Sequence, residues 1–145
     1  MYRTAGLPPL LFSNATSLHT VSLAFNSITA LPEGLFADTS KMHLLNANDN
    51  KITRLTKGMF SSLPQLHTLS LARNMLTELE AQVFASLTSL INLHLDENSI
   101  AAVGYYAFPS GPAASHVNDV APSYFVAKDT TLQASVRSTL LRPCA

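Results

Sequence analysis

The stretch LHTLSLARNML, residues 66–76, nearly repeats one met earlier in the chain, LHTVSLAFNSI, residues 18–28. Both begin with Leu, carry an aliphatic residue in fourth place and Leu in sixth, and reach Asn in ninth. The two lie 48 residues apart, and halving that interval lands on a further copy each time. The first place holds Leu18, Met42, Leu66 and Leu90, and the fourth Val21, Leu45, Leu69 and Leu93. The sixth holds Leu23, Ala47, Leu71 and Leu95, and the eleventh Ile28, Ile52, Leu76 and Ile100. The fourteenth holds Leu31, Leu55, Leu79 and Val103. Asn26, Asn50, Asn74 and Asn98 fill the ninth without exception, and Phe36, Phe60, Phe84 and Phe108 the nineteenth. A half-copy precedes the first full one in the same frame, with Leu7 in place fourteen and Phe12 in place nineteen. Self-similarity at a fixed period of this length signals a stacked repeat architecture.

Each class of position has a physical role. Alternation between places four and seven is the period-two signature of a strand. Residues such as Leu69 and Leu71 face inward, while Thr68, Ser70 and Ala72 are expected to face out. Strands that recur once per repeat in one direction must pair in parallel. One repeat cannot bury its own apolar face, so neighbours stack to build the core. Asn in place nine follows the strand, where the chain turns. Its amide can donate to and accept from backbone groups that a buried turn leaves unpaired. The Phe column fills the far side of the core. Ala47 stands where the other copies have Leu and is expected to thin the core there, since Leu-to-Ala changes in cores remove about 2–5 kcal/mol.

The pattern LxxLxLxxNxIxxLxxxxFxxLxx resembles the leucine-rich repeat family, in its 24-residue variety, over residues 7 to about 108. The resemblance implies an α/β leucine-rich-repeat solenoid: a curved right-handed superhelix with a parallel sheet on its concave face and an irregular or 3-10 convex side. The array is expected over 1–113, as a half repeat at 1–17 and full repeats starting at 18, 42, 66 and 90. Because the chain begins within a repeat, without a preceding strand or cap, it reads as a fragment of a larger receptor, matrix or adaptor protein, as a truncated gene model, or as an unusual uncapped array. The strand around Val21–Leu23 is then an open edge.

After Phe108 the pattern fails, leaving residues 114–145 as a non-repeat flank. YFVA (124–127) reads as a short strand able to pair with the last repeat. DTTLQASVRSTLLR (129–142) reads as a capping helix, with Thr130 and Gln133 as a capping box, Leu132, Val136 and Leu140 on one face, and Pro143 as a stop.

Bulk properties narrow the function. The 145 residues carry nine basic and nine acidic side chains, which gives no basic excess for nucleic acid or an anionic membrane surface. No apolar run approaches the roughly 20 residues that span a bilayer. A single cysteine, Cys144, excludes an internal disulfide or a cysteine zinc site. The N-terminal apolar run is broken by Pro8 and Pro9 and fits a cleaved signal peptide poorly. No phosphate-binding glycine loop, GxSxG or HExxH occurs. The chain is read as non-enzymatic, with no cofactor.

The outward strand positions form columns across the sheet. Place two reads His19, His43, His67, Ile91, and place three Thr20, Leu44, Thr68, Asn92. Place five reads Ser22, Asn46, Ser70, His94, and place seven Ala24, Asn48, Ala72, Asp96. Place eight reads Phe25, Asp49, Arg73, Glu97. By resemblance this concave face binds a protein ligand. The candidate contacts are Phe25 from the first repeat and His43, Leu44, Asn46, Asn48 and Asp49 from the second. The third repeat offers His67, Ser70 and Arg73, and the fourth Asn92, His94, Asp96 and Glu97. Phe25 is either a binding anchor or a side chain awaiting an N-terminal neighbour. Asp49, Arg73 and Glu97 alternate in sign, as a surface ion-pair ladder or as a charged patch orienting a partner. The histidine column invites a metal reading, as sensor or metalloenzyme, yet parallel strands set side chains abreast where a metal needs them to converge. Asn14-Ala15-Thr16 is an N-glycosylation sequon on the convex return segment. The family's 24-residue variety implies an extracellular or cell-surface setting, with an intracellular scaffold as the rival.

Overall fold

A computed structural model describes residues 6–104, 107–108 and 125–126. Its principal sheet holds five strands in the order β1-β2-β3-β5-β7, all parallel. They are β1 (Thr20–Ser22), β2 (Leu44–Asn46), β3 (Thr68–Ser70), β5 (Asn92–His94) and β7 (Phe125–Val126). A second sheet pairs β4 (Glu78–Leu79) with β6 (Ala102–Val103). Register follows the 24-residue frame: Thr20 opposes Leu44, Leu44 opposes Thr68, and Thr68 opposes Asn92. The columns read from sequence are therefore rows of adjacent residues. β7 confirms the strand expected in 124–127. Its Phe125 pairs with Leu93, 32 residues away instead of 24, because eight extra residues intervene. The helix expected over 129–142 lies outside the described residues.

Alternation within each three-residue strand is strict. Val21, Leu45, Leu69 and Leu93 are buried, while the residues flanking them are exposed or half-buried. The centre of the array is sealed: Met42, Leu45, Ala47, Ile52, Leu66, Leu69 and Leu71 have no exposed surface. Ala47 is enclosed although it is the smallest member of its column, and it belongs to the continuous core. On the opposite side the five Phe rings form one stack. Ring centroids are 6.1 Å apart from Phe12 to Phe36, 6.5 Å from Phe36 to Phe60, and 5.9 Å for both Phe60–Phe84 and Phe84–Phe108. Such offset stacking satisfies the ring quadrupoles while each ring excludes water from the next.

The return side takes the irregular of the two forms expected for it. No helix, α or 3-10, occurs among the described residues, and the chain goes back through consecutive turns. In the first repeat these are closed by N–H groups of Leu35, Ala37, Thr39 and Met42, bonded to carbonyls of Pro32, Gly34, Phe36 and Thr39. Gly34 and Gly58 occupy the left-handed region at φ 74° and 85° within this run. Thr39 sits in the column of Leu63 and Leu87 and is fully buried. Its hydroxyl donates to the Phe36 carbonyl at 3.0 Å, which makes a polar residue tolerable there.

Asparagine in place nine ties repeat to repeat. Asn74 Nδ2 donates to the carbonyls of Leu71 and Ala72 in its own repeat and, at 2.9 Å, to that of Ala47 in the preceding one. Its Oδ1 accepts from the Ile52 N–H at 3.0 Å. Asn50 and Asn98 repeat the pattern, reaching the carbonyls of Leu23 and Leu71 and the N–H groups of Ile28 and Leu76. Among the described residues Asn26 reaches its own repeat, at Leu23 and Ala24.

Two changes test these constraints. Asn74→Ala strands the Ile52 N–H and the Ala47 carbonyl, at about 1–3 kcal/mol for each buried unpaired group. Denaturant unfolding should show it clearly more destabilising than Asn26→Ala, which breaks no link to another repeat among the described residues. Gly104 lies against the backbone of the preceding repeat, donating to the Leu79 carbonyl at 2.7 Å. A Cβ there would sit 2.7 Å from Ala81 Cα. Gly104→Ala should therefore destabilise by roughly 1–3 kcal/mol, with hydrogen exchange accelerated first around β4 and β6.

Candidate functional site

The strand periodicity sets the concave face residue by residue, and backbone ladders set its edges. Beyond the strands, the N–H groups of Phe25, Asp49 and Arg73 donate to the carbonyls of Asn48, Ala72 and Asp96 in the next repeat. These donors all have left-handed backbones, as does Glu97: φ is 58°, 56°, 53° and 54° along place eight. This conformation is uncommon for any residue but Gly, Asn and Asp, and costs about 1–3 kcal/mol elsewhere. Here it reverses the chain so that the following Asn amide folds back under the carbonyls just passed. The side chains of place eight are thereby thrown outward.

At the start of the strands, His19, His43 and His67 form a stack. Ring centroids are 5.3 Å apart for His19–His43, tilted by 55°, and 5.1 Å for His43–His67, tilted by 18°. The rings stand abreast as parallel strands require, and they do not converge on a point. Among the described residues no group of three or more His, Cys, Asp or Glu is placed to hold a metal ion. Ile91 completes the column, 57% exposed.

Not every candidate contact is free to meet a ligand. Leu44 is exposed on the sheet as expected, and Phe25 is 70% exposed. Ser70 and His94 are half-buried beside one another. Asn92 is exposed and donates to Thr68 Oγ1 at 3.3 Å. Place seven departs from the outward expectation: Ala72 is buried, and Ala24, Asn48 and Asp96 are half-buried. The Asn48 Oδ1 accepts from the Ala72 N–H at 2.8 Å, and the Asn46 Oδ1 from the Asn48 N–H at 3.0 Å. Both amide oxygens thus brace the backbone, leaving only their N–H donors for a partner. The Asp96 Oδ1 is enclosed without a hydrogen-bond partner among the described residues. Sequence alternation could not separate these roles, because it assigns a face and not a hydrogen bond.

The alternating charges of place eight do meet. Arg73 grips Asp49 with two bonds, Nε to Oδ1 at 2.7 Å and Nη2 to Oδ2 at 2.8 Å, and its Nη1 lies 3.9 Å from Glu97. Hydrogen bonding from Arg73, aided by its charge, holds the Asp49 carboxyl below its ordinary value against a smaller opposing effect of burial. The same bond raises Arg73 above its ordinary value. One guanidinium thus faces three carboxylates, Asp49, Asp96 and Glu97, and the face keeps a negative excess at this edge. A flank depression of about 500 Å³, lined by Lys57, Glu80, Ala102 and Gly104 among others, lies away from this face. A crossed ion pair borders it, Arg54 Nη2 to Glu80 Oε1 at 3.2 Å.

Comparison with known proteins follows the same frame. The leucine rich repeat family profile matches residues 16–76 and 64–109, so the chain belongs to that family. Among solved structures, a chain of the Drosophila Toll–Spatzle complex is similar at 36% identity and a TM-score of 0.62, over 63% of this chain and 12% of that one. The leucine-rich repeat domain of APL1 matches at 31% identity and a TM-score of 0.62, over 64% of this chain and 25% of that one. The corresponding domain of APL1B, at 24% identity, shares the fold with a TM-score of 0.62. This chain thus spans a quarter or less of the first two. No curated protein sequence matches. Among the described residues no helix is long and apolar enough to cross a membrane.

Removing the guanidinium tests the ion pair. In Arg73→Ala the Asp49 carboxyl should titrate nearer its ordinary value, measured by NMR of the side-chain carboxyl. Because the folded value in the native protein is depressed, the pair's stabilisation is present above the ordinary carboxylate range and lost as pH falls through the folded value. Thermal unfolding of Arg73→Ala should lack that acid-dependent part.

Proposed function

We propose that this chain is a non-catalytic module that binds a protein partner through the concave sheet, as part of an extracellular or cell-surface receptor or matrix protein. The observation carrying this reading is the division of labour within each repeat. Core and turn positions hold nearly one residue type through four copies, while places three, five and eight change from copy to copy on a contiguous open sheet and place two keeps His in three of its four copies. Stacking requires the first set and nothing in the stack requires the second. The face is rich in side chains that suit a protein surface: exposed Phe25, Leu44 and Ile91 beside the histidine stack and the Asp49–Arg73–Glu97 charges. An anchor of exposed apolar groups bordered by charge is how protein interfaces acquire both affinity and orientation. An open sheet also lacks the water-excluding enclosure that acid–base or covalent chemistry uses. Similarity to a chain in a complex of Toll with Spatzle supports the binding reading. Residues 1–113 form the array in this reading, and 114–145 flank it, with β7 extending the sheet.

Site-directed photo-crosslinking tests it. A crosslinker placed at Ser70 on the sheet should capture one dominant protein partner, and Phe25→Ala with Arg73→Ala should abolish the capture. A crosslinker at Ser61, on the convex turns, should not capture that partner. Equal capture from both faces would remove the concave assignment.

A further inference from the structure

Asn14-Ala15-Thr16 is the single Asn-X-Ser/Thr triplet in the sequence. The fold sets Asn14 apart from the other described asparagines. Asn26, Asn50, Asn74 and Asn98 hold interior carbonyls with their amides, and Asn46 and Asn48 brace the sheet. Asn92 lies on β5 and is bonded to Thr68. Asn14 instead lies in the convex turns that precede β1, exposed, as is Thr16 two residues on. Its backbone is pinned in the left-handed region at φ 61° by a bond from its N–H to Asp38 Oδ2 at 2.8 Å. Among the described residues the side-chain nitrogen makes only a long 3.4 Å contact to the neighbouring Ser13 hydroxyl. Substituting that nitrogen breaks no buried hydrogen bond.

A second feature lies in the same turn run. Leu10 and Leu11 are 76% and 45% exposed, and the N–H of Leu11 closes a turn on Pro8 while that of Ser13 closes one on Leu10. Leu10 stands where Gly34, Gly58 and Gln82 stand in later repeats and takes no part in the core, while Leu11 heads the buried column of Leu35, Met59 and Val83 with part of its surface uncovered. A bulky hydrophilic group four residues away would screen them from water and from other chains.

From these observations we infer that Asn14 carries an N-linked glycan, which covers Leu10 and Leu11 and leaves the concave sheet clear. The inference rests on the extracellular placement in the proposed function, because the transfer occurs in the secretory pathway. The donor is an oligosaccharide linked to a lipid through pyrophosphate. The Asn14 side-chain nitrogen forms a bond to C1 of the first sugar, and the bond from C1 to the pyrophosphate oxygen breaks. The lipid pyrophosphate leaves with that electron pair, and the amide proton passes to a base on the transferase. Thr16 supplies the hydroxyl that this acceptor triplet requires.

The full chain, secreted from eukaryotic cells behind a cleavable leader, provides the test. Intact mass should show one N-glycan, removed by a glycan amidase with conversion of Asn14 to Asp. Asn14→Gln and Thr16→Ala should each lose it, while Thr16→Ser should retain it. Enzymatic removal from the folded protein should raise the fluorescence of an apolar-surface dye, and Leu10→Ser should diminish the rise. A secreted wild-type chain of unmodified mass overturns the inference, and an unchanged dye signal overturns the screening role. Crosslinking from Ser70, run on the same samples, separates the two readings. Capture without a glycan sinks only the modification, and a glycan without capture sinks only the concave site.

Discussion

Everything in this molecule depends on how one buried amide joins two repeats. Asn50, Asn74 and Asn98 each donate into the preceding repeat and accept from it at once. A backbone that turns inside an apolar stack has N–H and C=O groups that water cannot reach, and leaving them unpaired would cancel much of the gain from burying leucine. A single side chain with a two-proton donor and a separate acceptor side by side at its tip resolves both needs, and among the short side chains only Asn has that shape. The spacing of the asparagines therefore sets the spacing of the strands, and through them the alignment of every outward column. Asn26 marks the contrast, since among the described residues its amide holds its own repeat.

The same turn shapes the recognition face. For the amide to fold back, the residue before it must adopt a left-handed backbone, and in this chain that residue is Phe, Asp, Arg and Glu in succession. None is glycine, so a side chain is carried at every copy in a conformation that projects it from the edge of the sheet. Strain at place eight and the outward charge ladder are one structural fact seen from two sides. Asp49 and Arg73 meet because their backbones are bent alike, one strand apart, and their contact shifts both from their ordinary ionisation.

A solenoid separates what holds it together from what it presents. The Phe stack, the aliphatic columns and the Asn ladder repeat because each copy meets the same neighbours. Outward residues meet only solvent and the residues beside them, so they can differ from copy to copy without disturbing the core. The histidine stack shows that an outward column can also repeat. Three imidazoles stand in file because the strands are in register, and the geometry that aligns them also keeps them from closing on one ion. The convex side follows a looser rule of consecutive turns, where an exposed Asn14 and two exposed leucines are compatible with the stack.

The sequence by itself determined the repeat frame, the parallel register, the inward columns, the Asn and Phe ladders and the strand near Phe125. Each of these is local periodicity multiplied by stacking, and identical spacing leaves a single way to align the copies. Only the tertiary structure decided which outward residues are free. Ala72 is buried, and Asn46 and Asn48 are engaged with backbone, although alternation gives them the same face as Ser70. Periodicity aligned Leu79 with Val103, but only the assembled chain paired β4 with β6 as strands and brought Gly104 against Ala81, since two residues are too few to show alternation. Burial of Thr39 among leucines likewise depended on a carbonyl, that of Phe36, which the fold places within reach of its hydroxyl. Periodicity reports which side of the chain meets the core. Which hydrogen bonds close, and which side chains are left over for a partner, depends on distances that exist only once the repeats have stacked.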